Sequence, residues 1–299
     1  MSAVTTADEA VPDATASSGR DVAGLADDVA DAGGEMLAGG VANAGAVVRI
    51  GDEVRRPATE RSELVFALLR HVRANGFLGV PEPLGFDEAG RERLRFIPGD
   101  VAVPPFPSWS LDDGLLASTA RLLREFHEAV RDFVPPPGAQ WNSELAHPGG
   151  GPIVGHNDVC VENVVVRDGR AVALIDFEFA APTRPLHDLA VLARHWVPVE
   201  TDQDARVYGR SGFDVPSRLR LVAESYGLPR GSQREELLDH VVAGAHRGGT
   251  FVLARIARGE QAFIDMWERS GGQERVDRRR KWIDSVRTEL LAALDAPAG

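Results

Sequence analysis

Apolar positions follow two regimes along the 299-residue chain. From Glu35 to about residue 100 they come in short bursts, "EMLAGG", "AVVRIGD" and "EVRRP", separated by Gly and Asp, which predicts short antiparallel strands. One helical period interrupts them. Leu64, Val65, Leu68, Leu69 and Val72 recur at helical spacing, with Ser62 as the expected cap and Asn75-Gly76 as the stop. "VPEPLGFDEAGRERLRFIPG" predicts two strands around a turn at 88–90. Prolines at 104–107 mark a break, and 110–133 reads as a helix with Leu115, Leu116, Leu122, Leu123, Phe126 and Val130 on one face, ended by "VPPPG". "NVVVRDGRAVALIDFE" predicts an apolar hairpin turning at Asp168-Gly169. From Pro185 onward the pattern is helical, broken at "YGLPRG" and "RSGG".

This pattern divides the chain into a tail (1–33), a strand-rich N-lobe (34–103) and a helical C-lobe (104–299), an α+β organisation. The tail holds seven acids and one base with little to bury, so it is expected to be disordered. It carries half of the net charge of −12, which leaves the body only mildly acidic. That balance argues against nucleic acid or an anionic membrane as partner. Cys160 is the single cysteine, so no intramolecular disulfide exists and a reducing compartment is expected. No apolar run approaches the ~20 residues of a membrane span, and the N-terminus lacks a secretory pattern. The expectation is a cytoplasmic protein, monomer or homodimer.

The chemistry concentrates in "GHNDVCVENVVV", residues 155–166. An unpaired carboxylate in so apolar a run would cost several kcal/mol unless it were paired or bound to a metal. The predicted hairpin returns Asp176, in "ALIDFEFA", toward Asn163 at its start. An Asn oxygen and a carboxylate suit Mg²⁺, which keeps few protein ligands and takes others from phosphates. Asp158 would then be free to orient or deprotonate a hydroxyl, an arrangement suited to phosphoryl transfer. Cys160 beside His156 and Asp158 reads as a small buried hydrophobe in preference to a nucleophile.

"HNDVCVENVVV…ALIDFEFAAPTRPLHDLA" resembles the H-x-D-x-x-x-x-N and I-D-[FW] motifs of the aminoglycoside phosphotransferase (APH) family, small-molecule kinases of protein-kinase-like fold. The likeness is strong over about 150–195 and weaker over 35–133, where "LLREFHEA" has the family pattern. It implies a two-lobed kinase-like fold and ATP or GTP as co-substrate. By the same resemblance Asp158 is the base, Asn163 and Asp176 are Mg²⁺ ligands, and His156 holds the loop. Asp188 in "LHDLA" is then a structural acid tying the next helix to that loop.

A nucleotide-binding lobe needs a glycine-flexed turn, and Gly39, Gly40 and Gly45 around "VANA" are candidates. It also needs a cation on the phosphates. The only lysine is Lys281, so Arg55 or Arg56 must serve, with Arg56 preferred; its fork binds phosphate without copying lysine sterically. Its acidic partner is sought in Glu60 or Glu63, and the resemblance places that acid nearer Val65. The backbone at Phe96 and Pro98 is the expected hinge on the adenine edge. Trp109, Trp141 and Trp196 are core or cleft residues. The basic run at Lys281 reads as a solvated helix face.

The expected function is phosphorylation of a hydroxyl on a small molecule, an aminoglycoside-like antibiotic or related metabolite. Glu200, Asp202, Asp204, Asp239 and Asp265 would tolerate a cationic acceptor. The alternatives are a catalytically weak immunity or binding protein of the same fold, favoured by the missing lysine, and a metabolic kinase for an amino alcohol or sugar.

Overall fold

The structure, a computed structural model, describes residues 34–37 and 47–296. The expected tail and the turn glycines Gly39, Gly40 and Gly45 lie outside the described residues.

The N-terminal strand signals build one antiparallel sheet of β1 (Glu35–Met36), β2 (Val48–Ile50), β3 (Glu53–Arg56), β4 (Pro83–Phe86) and β5 (Glu92–Arg95), in the order β1-β2-β3-β5-β4. Its register decides what faces inward. Val54 pairs with Leu94 and Arg56 with Glu92. Because side chains alternate across a strand, a charged pair lands on the same face as the apolar one. Arg55 points the other way, toward Glu53 and Asp87.

Helix α1 (Ser62–Ala74) packs Phe66, Leu68 and Val72 into the core. Ser62 does not cap it. The capping position is Arg61, without a side-chain bond, and Ser62 forms the first turn. Its Oγ accepts the Thr59 N–H at 2.8 Å and donates to Glu92 at 2.5 Å.

Helix α2 (Asp113–Ala129) is shorter at both ends than expected. Residues 108–111 form a 3-10 turn, with Ser110 bonded back to the Pro107 carbonyl. Asp112 caps the helix by accepting from the N–H groups of Gly114 and Leu115, as an extended Asp before a helix does.

Strand β6 (Ile153–Gly155) pairs with β9 (Ala181–Thr183), a two-stranded ribbon too short to signal itself in sequence. Between them lies the expected hairpin of β7 (Val164–Arg167) and β8 (Arg170–Leu174). Asp168 and Gly169 both take positive φ, 50° and 70°, which suits a two-residue turn.

Six helices follow among the described residues: α3 (Pro185–Trp196), α4 (Asp202–Arg206), α5 (Val215–Tyr226), α6 (Ser232–Ala257), α7 (Gln261–Arg269) and α8 (Gly272–Asp295). Breaks at 197–201, 207–214 and 258–260 add to the two expected. Helix α8 buries Ile283, Leu290 and Leu294. Its basic run is not simply solvated: Arg275 and Arg279 turn in to Glu200, and Arg278 to Asp204.

One contiguous core runs from Phe66 in α1 through Leu115, Leu174 and Leu189 to Leu290 in α8. Trp196 is inside it, Trp141 packs at its edge and Trp109 is exposed. The expected hinge segment lies tightly on β7. Asp100 and Val166 exchange backbone hydrogen bonds of 2.8 Å, and a Cβ on Gly99 would come within 2.6 Å of Val165 and Val166. No helix among the described residues is long and apolar enough to cross a membrane. The architecture is the expected α+β one, a small antiparallel sheet before a helical C-terminal part.

Candidate active site

The 155–163 loop hangs on one buried acid. Asp188, in the first turn of α3, accepts the backbone N–H of His156 and of Asn157, each at 2.8 Å, and the Nε2 of His127 at 3.0 Å. Burial works to raise its pKa, yet the His127 bond and charge hold it below the usual range. Such close approach requires Gly155, because a Cβ there would lie 2.6 Å from Asp188 Oδ2. Helix α2 enters the same network through His127, whose Nδ1 meets the Tyr226 hydroxyl at 2.7 Å.

The loop then turns at Asn157, with φ of 61°, a conformation Asn tolerates. Its side-chain amide donates to the carbonyls of Phe179 and Ala181. His156 donates through Nε2 to the Ile175 carbonyl at 2.8 Å, leaving Nδ1 as acceptor for the Asp158 N–H at 3.3 Å. Burial pushes its pKa down, consistent with that neutral tautomer. Trp196 donates to the Val159 carbonyl at 3.2 Å, so α3 holds the loop twice.

These supports bring Asp158, Asn163 and Asp176 together. Asn163 donates its amide to the Asp158 carbonyl oxygen at 2.9 Å and to its carboxylate at 3.0 Å. The hairpin closes where Ile175 N–H bonds the Asn163 carbonyl at 2.9 Å, which places Asp176 next in line. Asp176 itself has a left-handed backbone, φ 62° and ψ 71°, a conformation uncommon for a non-glycine residue. Burial, then the nearby Asp176 charge, pushes the Asp158 pKa up to about 7. A carboxyl that titrates near neutrality is suited to accepting a proton. The Cys160 thiol is pushed well above its ordinary value by burial and then by Asp158, so it stays protonated and is no nucleophile here.

The N-lobe adds one cation. Arg56 reaches Glu92 Oε2 with Nε at 2.5 Å and Asp176 Oδ1 with Nη1 at 3.0 Å. Burial alone would lower its pKa, but Glu92 and Asp176 together raise it. Its acidic partner is thus a strand residue and neither of the candidates, Glu63 in α1 and Glu60 before it, which are exposed, on Arg70 and Arg61. Arg55 is excluded from the site by its opposite face. At the hinge, Phe96 N–H bonds the Asp52 carbonyl at 2.8 Å, and the Pro98 carbonyl is taken by Arg167 at 2.6 Å. Among the described residues the Phe96 carbonyl and the Ile97 N–H have no such partner.

Asn163 and Asp176 suit Mg²⁺ by chemistry. Both offer hard oxygens, the Asn163 Oδ1 receives no protein donor among the described residues, and Asp176 is only partly engaged by Arg56. No group of three or more His, Cys, Asp or Glu could hold a metal among those residues.

Sequence reasoning gave no site role to Glu92, Asn157 or His127, read Ser62 as a helix cap and left Trp196 between core and cleft. Asn157 left a local signal as the middle of "HND" before an acid, and His127 lies in "LLREFHEA". The others are brought in by contacts between residues distant in the chain.

The comparisons agree with this architecture. The family model described as the phosphotransferase enzyme family (APH) matches residues 139–222, which span the loop, the hairpin and α3. The trifolitoxin immunity protein of Rhizobium leguminosarum bv. trifolii is 34% identical over 206 residues, 67% of this chain and 76% of that protein. Among solved structures, a choline/ethanolamine kinase family protein from Mesorhizobium loti aligns with a TM-score of 0.57 at 19% identity, over 88% of this chain and 92% of the other. The GDP and kanamycin complex of APH(2")-IIia aligns with a TM-score of 0.54 at 15% identity, over 83% and 93%. These two share the fold. The chain belongs to the phosphotransferase enzyme family (APH).

Proposed function

We propose that the protein is a nucleotide-dependent phosphotransferase acting on a hydroxyl of a small molecule. The observation that carries this reading is the convergence of Asp158, Asn163 and Asp176, with Arg56 reaching over from the sheet. Asp158 accepts the proton of the acceptor hydroxyl, and Asn163 fixes its carboxylate for that task. Asn163 and Asp176 would hold Mg²⁺, whose chemistry when bound is to neutralise charge on the nucleotide phosphates. Arg56 binds a phosphate oxygen, with Glu92 holding its other edge. The Phe96 carbonyl and Ile97 N–H receive the base of ATP or GTP, so the adenine-edge role passes from Pro98 to its neighbours. The proposed acceptor is a hydroxyl-bearing small molecule, an antibiotic or a metabolite, of either charge.

The test is phosphoryl transfer from Mg·ATP and Mg·GTP to a panel of hydroxyl-bearing antibiotics and metabolites, with Asp158→Asn as the blank. Transfer above the blank is expected. No transfer to any acceptor, combined with no stabilisation of the protein by Mg-nucleotide, would sink the proposal. The 34% identical immunity protein supports a second reading, protection by binding alone. It would show as protection of cells that survives Asp158→Asn.

A further inference from the structure

Four arginines gather near α3, and only Arg279 has a carboxylate within ion-pair distance among the described residues. Arg279 pairs with Glu200, and Arg247 donates to His187 Nδ1 at 3.1 Å. Among the described residues Arg194, on α3, hydrogen-bonds only to the neighbouring His195 ring, at 2.6 Å, and its Nε is buried without a partner. Arg210, between α4 and α5, has both Nε and Nη2 buried without a partner, and its guanidinium lies 6.0 Å from the Phe106 ring. Neither makes an ion pair among the described residues.

Arg194 stands on α3 two residues before Trp196, whose indole holds the Val159 carbonyl next to Asp158. Both guanidinia feel the acids of that loop, Arg194 that of Asp158 and Arg210 that of Glu162. Burial pushes each guanidinium down to about 10, so both remain charged at neutral pH. Acids attract both, Asp158 for Arg194 and Glu200 with Glu162 for Arg210, but without an ion pair among the described residues, so each guanidinium keeps N–H groups without a partner. The fold makes room for the cation on α3. Gly244 and Gly248, one turn apart inside α6, face Arg194, and a Cβ on Gly248 would lie 3.1 Å from its Nη1. Interior helix glycines weaken a helix, so this clearance has a cost of its own.

The acids that could have welcomed a cationic acceptor are engaged elsewhere. Glu200 holds Arg275 and Arg279, Asp204 holds Arg278, Asp202 holds Arg206 and Asp239 holds Arg287. Asp265 accepts from Gln261.

We propose that Arg194 and Arg210 recognise an anionic group on the acceptor, a carboxylate or phosphate carried beside the hydroxyl presented to Asp158. This rests on the kinase reading above and deepens it, since it narrows the acceptor from either charge to anionic. Arginine's planar fork matches either oxyanion. The same arginines could instead reach the terminal phosphate of the nucleotide, and the experiment separates the two sources.

The experiment is thermal denaturation of the full chain with saturating Mg²⁺ and a non-hydrolysable ATP analogue. Inorganic phosphate, glycerate, choline or kanamycin is then titrated in. Phosphate or glycerate should raise the midpoint by about 2–4 °C beyond the nucleotide effect, while choline and kanamycin should not. Arg194→Gln and Arg210→Gln should abolish that increment and keep the nucleotide shift. Without ligand these variants should melt close to wild type, because neither arginine makes an ion pair among the described residues and each leaves N–H groups without a partner. Should one variant fail to fold, the other carries the same comparison. The proposal is overturned if neither anion stabilises wild type, if the increment survives both substitutions, or if only the cations stabilise. An anion effect that disappears once the analogue is bound overturns the acceptor assignment in favour of the nucleotide phosphate. An arginine-dependent anion effect without any nucleotide shift would sustain the anion site and overturn the kinase reading alone.

Discussion

Arg56 and Glu92 face each other across β3 and β5, guanidinium Nε 2.5 Å from carboxylate Oε2. Ser62 completes the arrangement from the first turn of α1, so the sheet and the helix meet on one buried carboxylate. Glu92 is only 2% exposed. Removing one partner of a buried pair leaves the other stranded, at about 3–5 kcal/mol. Arg56→Ala should therefore lower stability in denaturant titrations. It should also weaken nucleotide binding by about 1.5–3 kcal/mol, the scale of a hydrogen bond to a charged group. Replacing both, Arg56→Met with Glu92→Leu, should restore most of the stability and none of the binding. Normal nucleotide affinity in the double variant would show that the phosphates lie elsewhere.

What the sequence revealed and what it hid have the same cause. The spacing of Asp158, Asn163 and Asp176 around a local hairpin needs only nearest-neighbour strand pairing, so their convergence was legible from the pattern. The partner of Arg56 was not. It depends on the register of β3 against β5, residues 36 apart in the chain, and the search at the start of the adjacent helix led to Glu60 and Glu63, both exposed. The orientation of α8 was hidden for a related reason. Arg275, Arg278 and Arg279 look like a solvated run until Glu200 and Asp204, more than 70 residues earlier, are placed against them. The ends of α2 misled through chemistry nearer at hand: Ser110 and Asp112 both suit a cap, and the Ser hydroxyl is engaged by the Pro107 carbonyl.

For Asp158 the expected consequence is kinetic. Asp158→Asn keeps the shape and the Asn163 contact while removing the proton acceptor. Turnover should fall by about 10²–10⁴, with the nucleotide dissociation constant nearly unchanged. Steady-state rates beside calorimetric nucleotide titration make the comparison, and near-normal turnover would remove Asp158 from the assigned role.

Gly155 and Asp188 offer a prediction about positioning. Gly155→Ala forces a methyl to within 2.6 Å of the Asp188 carboxylate, which must withdraw from the His156 and Asn157 N–H groups. Those donors are buried, and leaving them unpaired costs about 1–3 kcal/mol each. The variant should show reduced kcat with little change in nucleotide affinity, since Arg56 and the hinge are untouched. Amide exchange at His156 and Asn157 should rise in parallel. Unchanged protection there would mean that the loop does not depend on Asp188.

The last prediction concerns acid stability and turns on His187. Its Nε2 meets the Leu145 carbonyl at 3.1 Å, and its Nδ1 faces the Arg247 guanidinium at 3.1 Å, so a second proton would point at a cation. Burial, with Arg247 adding to it, brings the pKa down to about 4 from an ordinary 6.5. The unfolded chain therefore takes up a proton between pH 6.5 and 4 that the folded chain refuses. By linkage, the stability His187 contributes is fully present above about 6.5 and is lost as pH falls toward 4, at roughly 3 kcal/mol for that span. His195 and His156, also lowered by burial, act in the same direction. Asp158 opposes them: its raised pKa means that the folded state binds a proton more readily below about 7, which stabilises it on acidification. Two variants separate these terms. His187→Gln, which can still donate to Leu145 and accept from Arg247, should flatten the fall in unfolding free energy between pH 7 and 4. Asp158→Asn should steepen it. Equal slopes for wild type and His187→Gln would mean that the imidazole is not held neutral by burial and by Arg247.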